Sequence, residues 1–325
     1  MYTTIVQRRR GAPPLPIRNG LNPTRVRVPE GNGAVSASAF LTTVIDAQRH
    51  RHPDDDAAAL EERFRTGEVV DPQGNPLGPD TLLAENQDVW FYRRPALEQT
   101  VPYDITIVHE DDRLLVVNKP PFLATMPRGQ HITETATVRL RRMTRIDDLS
   151  PAHRLDRLTS GILVFIKNPA DRGAYQTLFA ERKVEKTYHA IAPLNDELAS
   201  AAPVTWQNRI DKVPGEFQAK LVEGDINAVT TLLSVTQVSE YEQSLLEQSH
   251  GKQPLLARYV LQPRTGKTHQ LRLHMHNAGV PILGDNAYPI PLTADQERFD
   301  RPLRLTAHEI SFVDPFTGVT RYFGL

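Results

Sequence analysis

The chain has 325 residues, of which 39% are hydrophobic and 24% charged, with a net charge of −1 and no cysteine. That length fills one large domain and a smaller one. The absence of cysteine excludes disulfides, thiolate-held zinc and a cysteine nucleophile. A near-neutral chain does not bind nucleic acid by bulk charge alone, and no run of about 18 apolar residues exists to cross a membrane as a helix.

Residues 1–29 hold six arginines (Arg8, Arg9, Arg10, Arg18, Arg25 and Arg27), no acid, and many prolines and glycines. Two readings stand: a basic arm that touches phosphates, or a solvated leader. No apolar segment follows Arg8–Arg10, so an export signal is not expected and a cytoplasmic location is. Residues 30–97 read as a small α+β domain. Residues 35–50 carry apolar positions near helical spacing. A second helix starts near Asp54–Ala58, runs through Leu60 and Phe64, and stops at Gly67. Glu68–Val70 and Asp88–Tyr92 read as strands, with turns at Asn75-Pro76 and Gly78-Pro79. Gly31-Asn32-Gly33 lacks the third glycine and the strand-to-helix frame of a phosphate loop and reads as a turn. The stretch from Pro95 to Pro102 is a linker.

Residues 98–325 follow a different grammar. Strand-like runs recur at 114–117, 161–166, 188–191, 229–235, 257–261 and 309–313, with helices at about 133–144, 170–182 and 268–278. Strands and helices do not alternate regularly. This predicts an α+β fold with a mixed, mainly antiparallel sheet and flanking helices. Residues 237–253 are polar and read as an irregular insertion between two strands.

Three short runs carry chemistry. His153-Arg154-Leu155-Asp156-Arg157-Leu158-Thr159-Ser160-Gly161 leads into an apolar strand, which puts Asp156 in a loop at a strand mouth. An ionised carboxylate flanked by two arginines can attack without further activation; a lone Asp beside a turn is more often a salt-bridge partner. Lys186-Thr187-Tyr188 lies on the next strand, where a tyrosine usually packs its ring and wets its hydroxyl. Thr265-Gly266-Lys267-Thr268-His269-Gln270-Leu271-Arg272, preceded by Arg264, reads as a strand-turn-helix rich in cations. His269, His274 and His276 fall within eight residues, but His274 and His276 diverge on a helix and no carboxylates accompany them, so no metal is expected. Asp285 follows Gly284 and reads as a turn cap.

Taken in order, these runs resemble the motifs of the RNA pseudouridine synthases, in the branch acting on large ribosomal RNA and transfer RNA. The resemblance spans roughly residue 104 to the end, and the 30–97 unit is loosely similar to the small RNA-binding domain often fused in front. It implies the pseudouridine synthase fold, with Asp156 as nucleophile and Arg154 displacing the target base. Tyr188 would stack on the flipped uracil and offer its hydroxyl as a base for the C5 proton. Arg272 would pair with Asp156, and Leu305 would line the uracil pocket. Arg157, Lys186, Arg264, Lys267 and His269 would contact RNA, with Lys267 standing where arginine is more usual. Lys183, Arg139, Arg141, Arg142 and Arg145 are further candidates for a phosphate track. The isomerisation needs no cofactor and no metal, and nothing demands more than a monomer. Two other readings compete: a catalytically silent RNA-binding module of the same fold, and an unrelated hydrolase using Asp156, for which no second motif supplies a base and an oxyanion site.

Overall fold

The computed structural model describes residues 13–31, 33–293 and 296–325, so Arg8, Arg9, Arg10 and Asn32 lie outside the described residues. The chain forms two compact units: Met1–Thr100 with Met126–Asp147, and Val101–Thr125 with Asp148–Leu325.

In the first unit, β1 (Thr24–Arg27), β2 (Val35–Ser36), α1 (Ala37–Asp46), α2 (Ala57–Arg65), β3 (Val69–Val70), β4 (Leu82–Leu83) and β5 (Asp88–Phe91) follow in order. Strands β1 and β3 flank β5 in an antiparallel sheet, and β2 pairs with β4. Ser36 and Asp56 cap the two helices through the amides of Ala39 and Ala59. The helices close a core of Val28, Leu41, Ile45, Leu60, Leu83 and Phe91. Residues 24–27, expected in a basic arm, are therefore a strand. Arg25 and Arg27 are not free for phosphates, because both bond the buried carboxylate of Asp88 across the β1–β5 ladder.

Helix α3 (Ala136–Thr144) also belongs to this unit rather than to the larger one. Two contacts explain this. The Glu98 carboxylate accepts the amides of Ile132, Thr133 and Glu134, and Arg141 donates to the Gly20 carbonyl and to Asn22. Gly20 has φ of 77°, and a Cβ there would sit 2.8 Å from the Val138 carbonyl oxygen, so only glycine allows this approach.

The second unit is built on one large sheet. Its elements are β6 (Thr106–Glu110), β7 (Leu114–Lys119), β8 (Ser150–Pro151), β9 (Ser160–Ile166), α4 (Arg172–Ala180), β10 (Val184–Pro193), α5 (Asp196–Ala201), β11 (Val204–Asp211), β12 (Lys220–Val222), β13 (Ala228–Gln237), α6 (Glu240–His250), β14 (Leu256–Pro263), α7 (Gln270–Asn277), β15 (Leu305–Val313) and β16 (Thr320–Gly324). The strand order is β12-β11-β13-β14-β10-β15-β9-β7-β6, with β16 on β15 and β8 on β9. All pairings are antiparallel except β15 with β9. This is the mixed, mainly antiparallel sheet with flanking helices that the α+β expectation describes. Strands β7 and β9 are almost continuously apolar because they are buried on both faces. Their side chains meet Tyr175 of α4 and Ile310 and Phe312 of β15 in one core.

The parallel β9–β15 contact pairs Ser160 with Thr306 and Gly161 with Ala307. A Cβ on Gly161 would lie 2.2 Å from the Ala307 carbonyl oxygen, so the glycine that ends the first motif lets these strands meet. Residues 240–250, expected to be irregular, form helix α6. Leu246 is its only buried residue, and one apolar anchor in a polar stretch leaves little periodicity to read. Among the described residues, no helix is long and apolar enough to cross a membrane.

Candidate active site

Asp156 lies in the loop between β8 and β9, and the loop is held from both sides. The Thr125 hydroxyl accepts from the Leu155 amide at 3.1 Å and donates to the Leu155 carbonyl at 2.8 Å. On the other side, the buried Lys119 amine donates to the carbonyls of Pro120 (2.8 Å), Leu123 (2.8 Å) and Arg157 (3.2 Å). The Asp156 carbonyl accepts the Thr159 amide at 3.1 Å, which closes the turn before β9. The Asp156 carboxylate itself has no ion pair and no side-chain hydrogen bond among the described residues. Fixing the backbone while leaving the carboxylate unspent suits a reacting group.

The second half of the site is the turn from β14 into α7. Gln270 staples it: its amide nitrogen donates to the Val229 carbonyl and the Thr230 hydroxyl, and its oxygen accepts from the Thr265 hydroxyl and the Lys267 amide. His269 sits at the helix start in the left-handed region, φ 58°. Its Nδ1 is 3.3 Å from the Tyr288 hydroxyl. Burial, then the neighbouring Arg272 charge, lower the His269 imidazole below its ordinary range.

These parts face one cleft of about 540 Å³. Its lining includes Asp156, Arg154, Lys186, Tyr188, Arg264, Lys267, His269, Arg272 and Leu305. So nine of the ten residues to which the resemblance gives a site role meet at one place, and the five further phosphate-track candidates do not. Arg154, Arg182, Lys186, Arg264 and Lys267 line it without an ion pair or side-chain hydrogen bond among the described residues. Many arginines elsewhere in the unit are paired with a carboxylate. Unpaired cations around one concave surface make an anion-binding track in a chain that is neutral as a whole. Burial first, and the Asp156 charge second, push the Tyr188 hydroxyl up, so it stays a phenol near neutral pH. His153 stacks on Phe179 with ring centroids 4.5 Å apart, and its Nε2 accepts the Val164 amide at 3.3 Å. Burial and the Lys186 charge lower that imidazole to about 3, so the ring is neutral.

Two implied roles need correction. Arg272 does not pair with Asp156. Its guanidinium forks onto Asp285, Nε at 2.8 Å and Nη2 at 2.5 Å, and Nη2 also meets the Asn286 side-chain oxygen at 2.9 Å. The two side chains are 3% and 1% exposed, and a cation so buried takes the nearest carboxylate with matching two-point geometry. Asp156 still contributes to the charge that Arg272 feels. Asp285 also accepts the amides of Ala287 and Tyr288, so it caps a turn as the sequence suggests while holding Arg272. Arg157 is not on the cleft wall: its guanidinium is gripped at two points by Glu297, with Nη1 to Oε1 at 2.8 Å. Of the further candidates, Lys183 pairs with Glu181. Arg139, Arg141, Arg142 and Arg145 belong to the first unit, where Arg139 pairs with Glu134 and Arg142 bonds the Asn19 carbonyl.

Lys119, Thr125 and Glu297 escape a motif reading, and Gln270 lies inside the third motif without a role assigned to it. Lys119 alone leaves a signal, a lysine closing an apolar strand before Pro120-Pro121. The three histidines near α7 diverge: His269 and His276 flank the Tyr288 ring, and His274 faces Trp206. Among the described residues, no group of three or more His, Asp or Glu side chains could hold a metal ion.

The family model described as RNA pseudouridylate synthase matches residues 113–277, half of the chain, and includes all three motifs. The tRNA pseudouridine synthase C of Vibrio parahaemolyticus is 34% identical over 224 residues, 67% of this chain and 88% of that protein. The dual-specificity RNA pseudouridine synthase RluA of Haemophilus influenzae is 34% identical over 240 residues, 70% of this chain and 94% of that protein. Among solved structures, human RNA pseudouridylate synthase domain containing 1 aligns with a TM-score of 0.49 at 25% identity, covering 69% of this chain and 85% of that one. With its motif order, the family match over half of the chain and the two curated relatives, the chain belongs to the RNA pseudouridine synthases of the His-Arg-Leu-Asp branch, isomerases that convert uridine in RNA to pseudouridine.

Proposed function

We propose that the chain isomerises uridines in structured ribosomal or transfer RNA, with Asp156 as nucleophile. The observation that carries this reading is the unpaired Asp156 carboxylate in a cleft of unpaired cations, with its backbone clamped by Thr125 and Lys119. The substrate class follows from the relatives, named for transfer RNA and for dual specificity.

A uridine in folded RNA must leave its stack before its glycosidic bond can be reached, at a cost of a few kcal/mol. Arg154, exposed and unpaired at the cleft, fills the vacated space. The Tyr188 ring stacks on the extruded base, and Leu305 lines the pocket behind it. Asp156 attacks the ribose C1′ and forms an ester as the N1–C1′ bond breaks; the uracil turns, and C5 bonds to C1′ as the ester C–O bond breaks and returns Asp156 as a carboxylate. The C5 proton is lost to water and N1 takes one up, so atoms and charge balance with no cofactor and no metal. Because the phenol form of Tyr188 is favoured, its stacking role is stronger than a role as base. Arg272, fixed by Asp285, adds positive charge beside Asp156 without neutralising it. Lys186, Arg264, Lys267 and His269 follow the RNA backbone. The smaller unit adds RNA affinity, and the protein works as a monomer in the cytoplasm, where such RNAs are found.

Tritium release from RNA labelled at uridine C5 tests the central claim. The Asp156→Ala protein should release none while still binding the RNA. Full release by this variant would overturn the assignment.

A further inference from the structure

Asp156 and Arg272 do not touch, yet hydrogen bonds link the segments that carry them. Arg272 Nη2 donates to Asn286 Oδ1 at 2.9 Å. Asn286 Nδ2 donates to Glu297 Oε2 at 3.3 Å. Glu297 receives both terminal nitrogens of Arg157, the residue after Asp156. Asp285 anchors the far end by its fork on Arg272. The chain Asp285–Arg272–Asn286–Glu297–Arg157 thus joins helix α7 to the Asp156 loop and leaves Asp156 out.

From this geometry we propose that Glu297 is a positioning residue for the reaction. It acts through Arg157, and this rests on Asp156 being the nucleophile. Its physical task is twofold. It completes the hold on the loop, where Lys119 grips the Arg157 carbonyl and Glu297 grips its guanidinium. It also keeps that guanidinium away from Asp156. Arg157 and Glu297 are 23% and 19% exposed, so the pair is partly shielded and a fork-to-fork fit is favoured. Without Glu297, the closest unspent carboxylate on the same loop is Asp156. A guanidinium that folded onto it would neutralise the nucleophile and turn it from the ribose. A merely structural brace makes no such prediction.

The test compares Glu297→Ala, Glu297→Gln and the double variant Glu297→Ala/Arg157→Ala on unmodified RNA transcripts carrying C5-tritiated uridine. Glu297→Ala should lower kcat on the order of tenfold to a hundredfold with little change in KM, as misplacement of a reacting group does. Glu297→Gln should fall between it and wild type. The double variant should recover part of the lost kcat, because the released cation is gone. A double variant no faster than Glu297→Ala, or a loss carried by KM, would overturn the proposal. Thermal melting of each variant separates these outcomes from unfolding, and Glu297→Gln retains the side-chain volume if the alanine protein does not fold. Asp156→Ala run alongside keeps the two claims apart: release by that variant overturns the nucleophile, whereas unchanged kcat in Glu297→Ala with an inactive Asp156→Ala overturns the brace alone.

Discussion

Arg272 and Asp285 form a two-point ion pair in the interior of the larger unit, at 2.8 and 2.5 Å, with both side chains almost fully buried. Asp285 sits in the turn after Gly284 and Arg272 on α7, so the pair ties that turn to the helix that walls the cleft. Its consequence is that the charge beside Asp156 is held in place by a different carboxylate. Removing Asp285 strands a buried guanidinium. Asp285→Ala should therefore destabilise the protein by about 3–5 kcal/mol, the cost of breaking a buried pair from one side. Urea unfolding measures it, and a change below about 1 kcal/mol would contradict the pairing.

Tyr188 offers a ring and a hydroxyl that substitutions separate. Tyr188→Phe keeps the ring and should retain RNA affinity while lowering the rate. Tyr188→Ala should lose a further factor corresponding to about 1–3 kcal/mol in kcat/KM, the worth of stacking one base. Because burial and the Asp156 charge raise the hydroxyl, no rise in rate from phenolate formation is expected between neutral pH and about pH 9. Equal losses in the two variants would assign the effect to the hydroxyl.

The unpaired cations of the cleft should act as phosphate contacts. Lys267→Gln and Arg264→Gln should each weaken RNA binding and flatten its salt dependence by about 0.7 in the log–log slope for a single-stranded contact. Filter binding across a salt series gives the slope. The same change at Arg157, which is engaged with Glu297, should leave the slope unchanged.

His274 makes a pH prediction. It is almost fully buried against Trp206, and among the described residues neither ring nitrogen has a hydrogen-bond partner. Burial lowers its imidazole to about 4. Below the ordinary histidine range the unfolded chain takes up a proton that the folded chain refuses, so stability falls as pH drops from about 6.5 to about 4. The full loss from this group is about 3 kcal/mol. His274→Phe should reduce the decline across that window, as read from urea midpoints at pH 7.5, 5.5 and 4.5. An unchanged decline would mean that the proton is accommodated in the folded state.

Much of the larger unit is legible in the sequence, because its signals are local. The apolar run of β9, the periodic face of α4 and the glycine at 161 each state a backbone preference or a burial pattern within a few residues. The motif residues Asp156, Tyr188, Lys267 and Arg272 announce their chemistry by type and order, and they share one cleft. The first unit was less readable. Strand β1 lies in a stretch whose arginines and prolines suggest a free arm, and α3 joins this unit through its contacts with Asn19, Gly20 and Asn22 and through the bonds of Glu98 to the turn before it.

By itself the sequence determined the fold class, the reaction family and most of the groups that line the cleft. Only the tertiary structure decided which charges are spent on one another. Arg272 takes Asp285 rather than Asp156, and Arg157 takes Glu297, 140 residues away. The physical reason is that an ion pair is selected by distance, burial and fork geometry in space, and a local pattern does not say which of several carboxylates the fold brings within reach. Asp156 stands apart because Arg272 and Arg157 are held by other carboxylates, while the remaining cations of the cleft wall have no ion pair among the described residues.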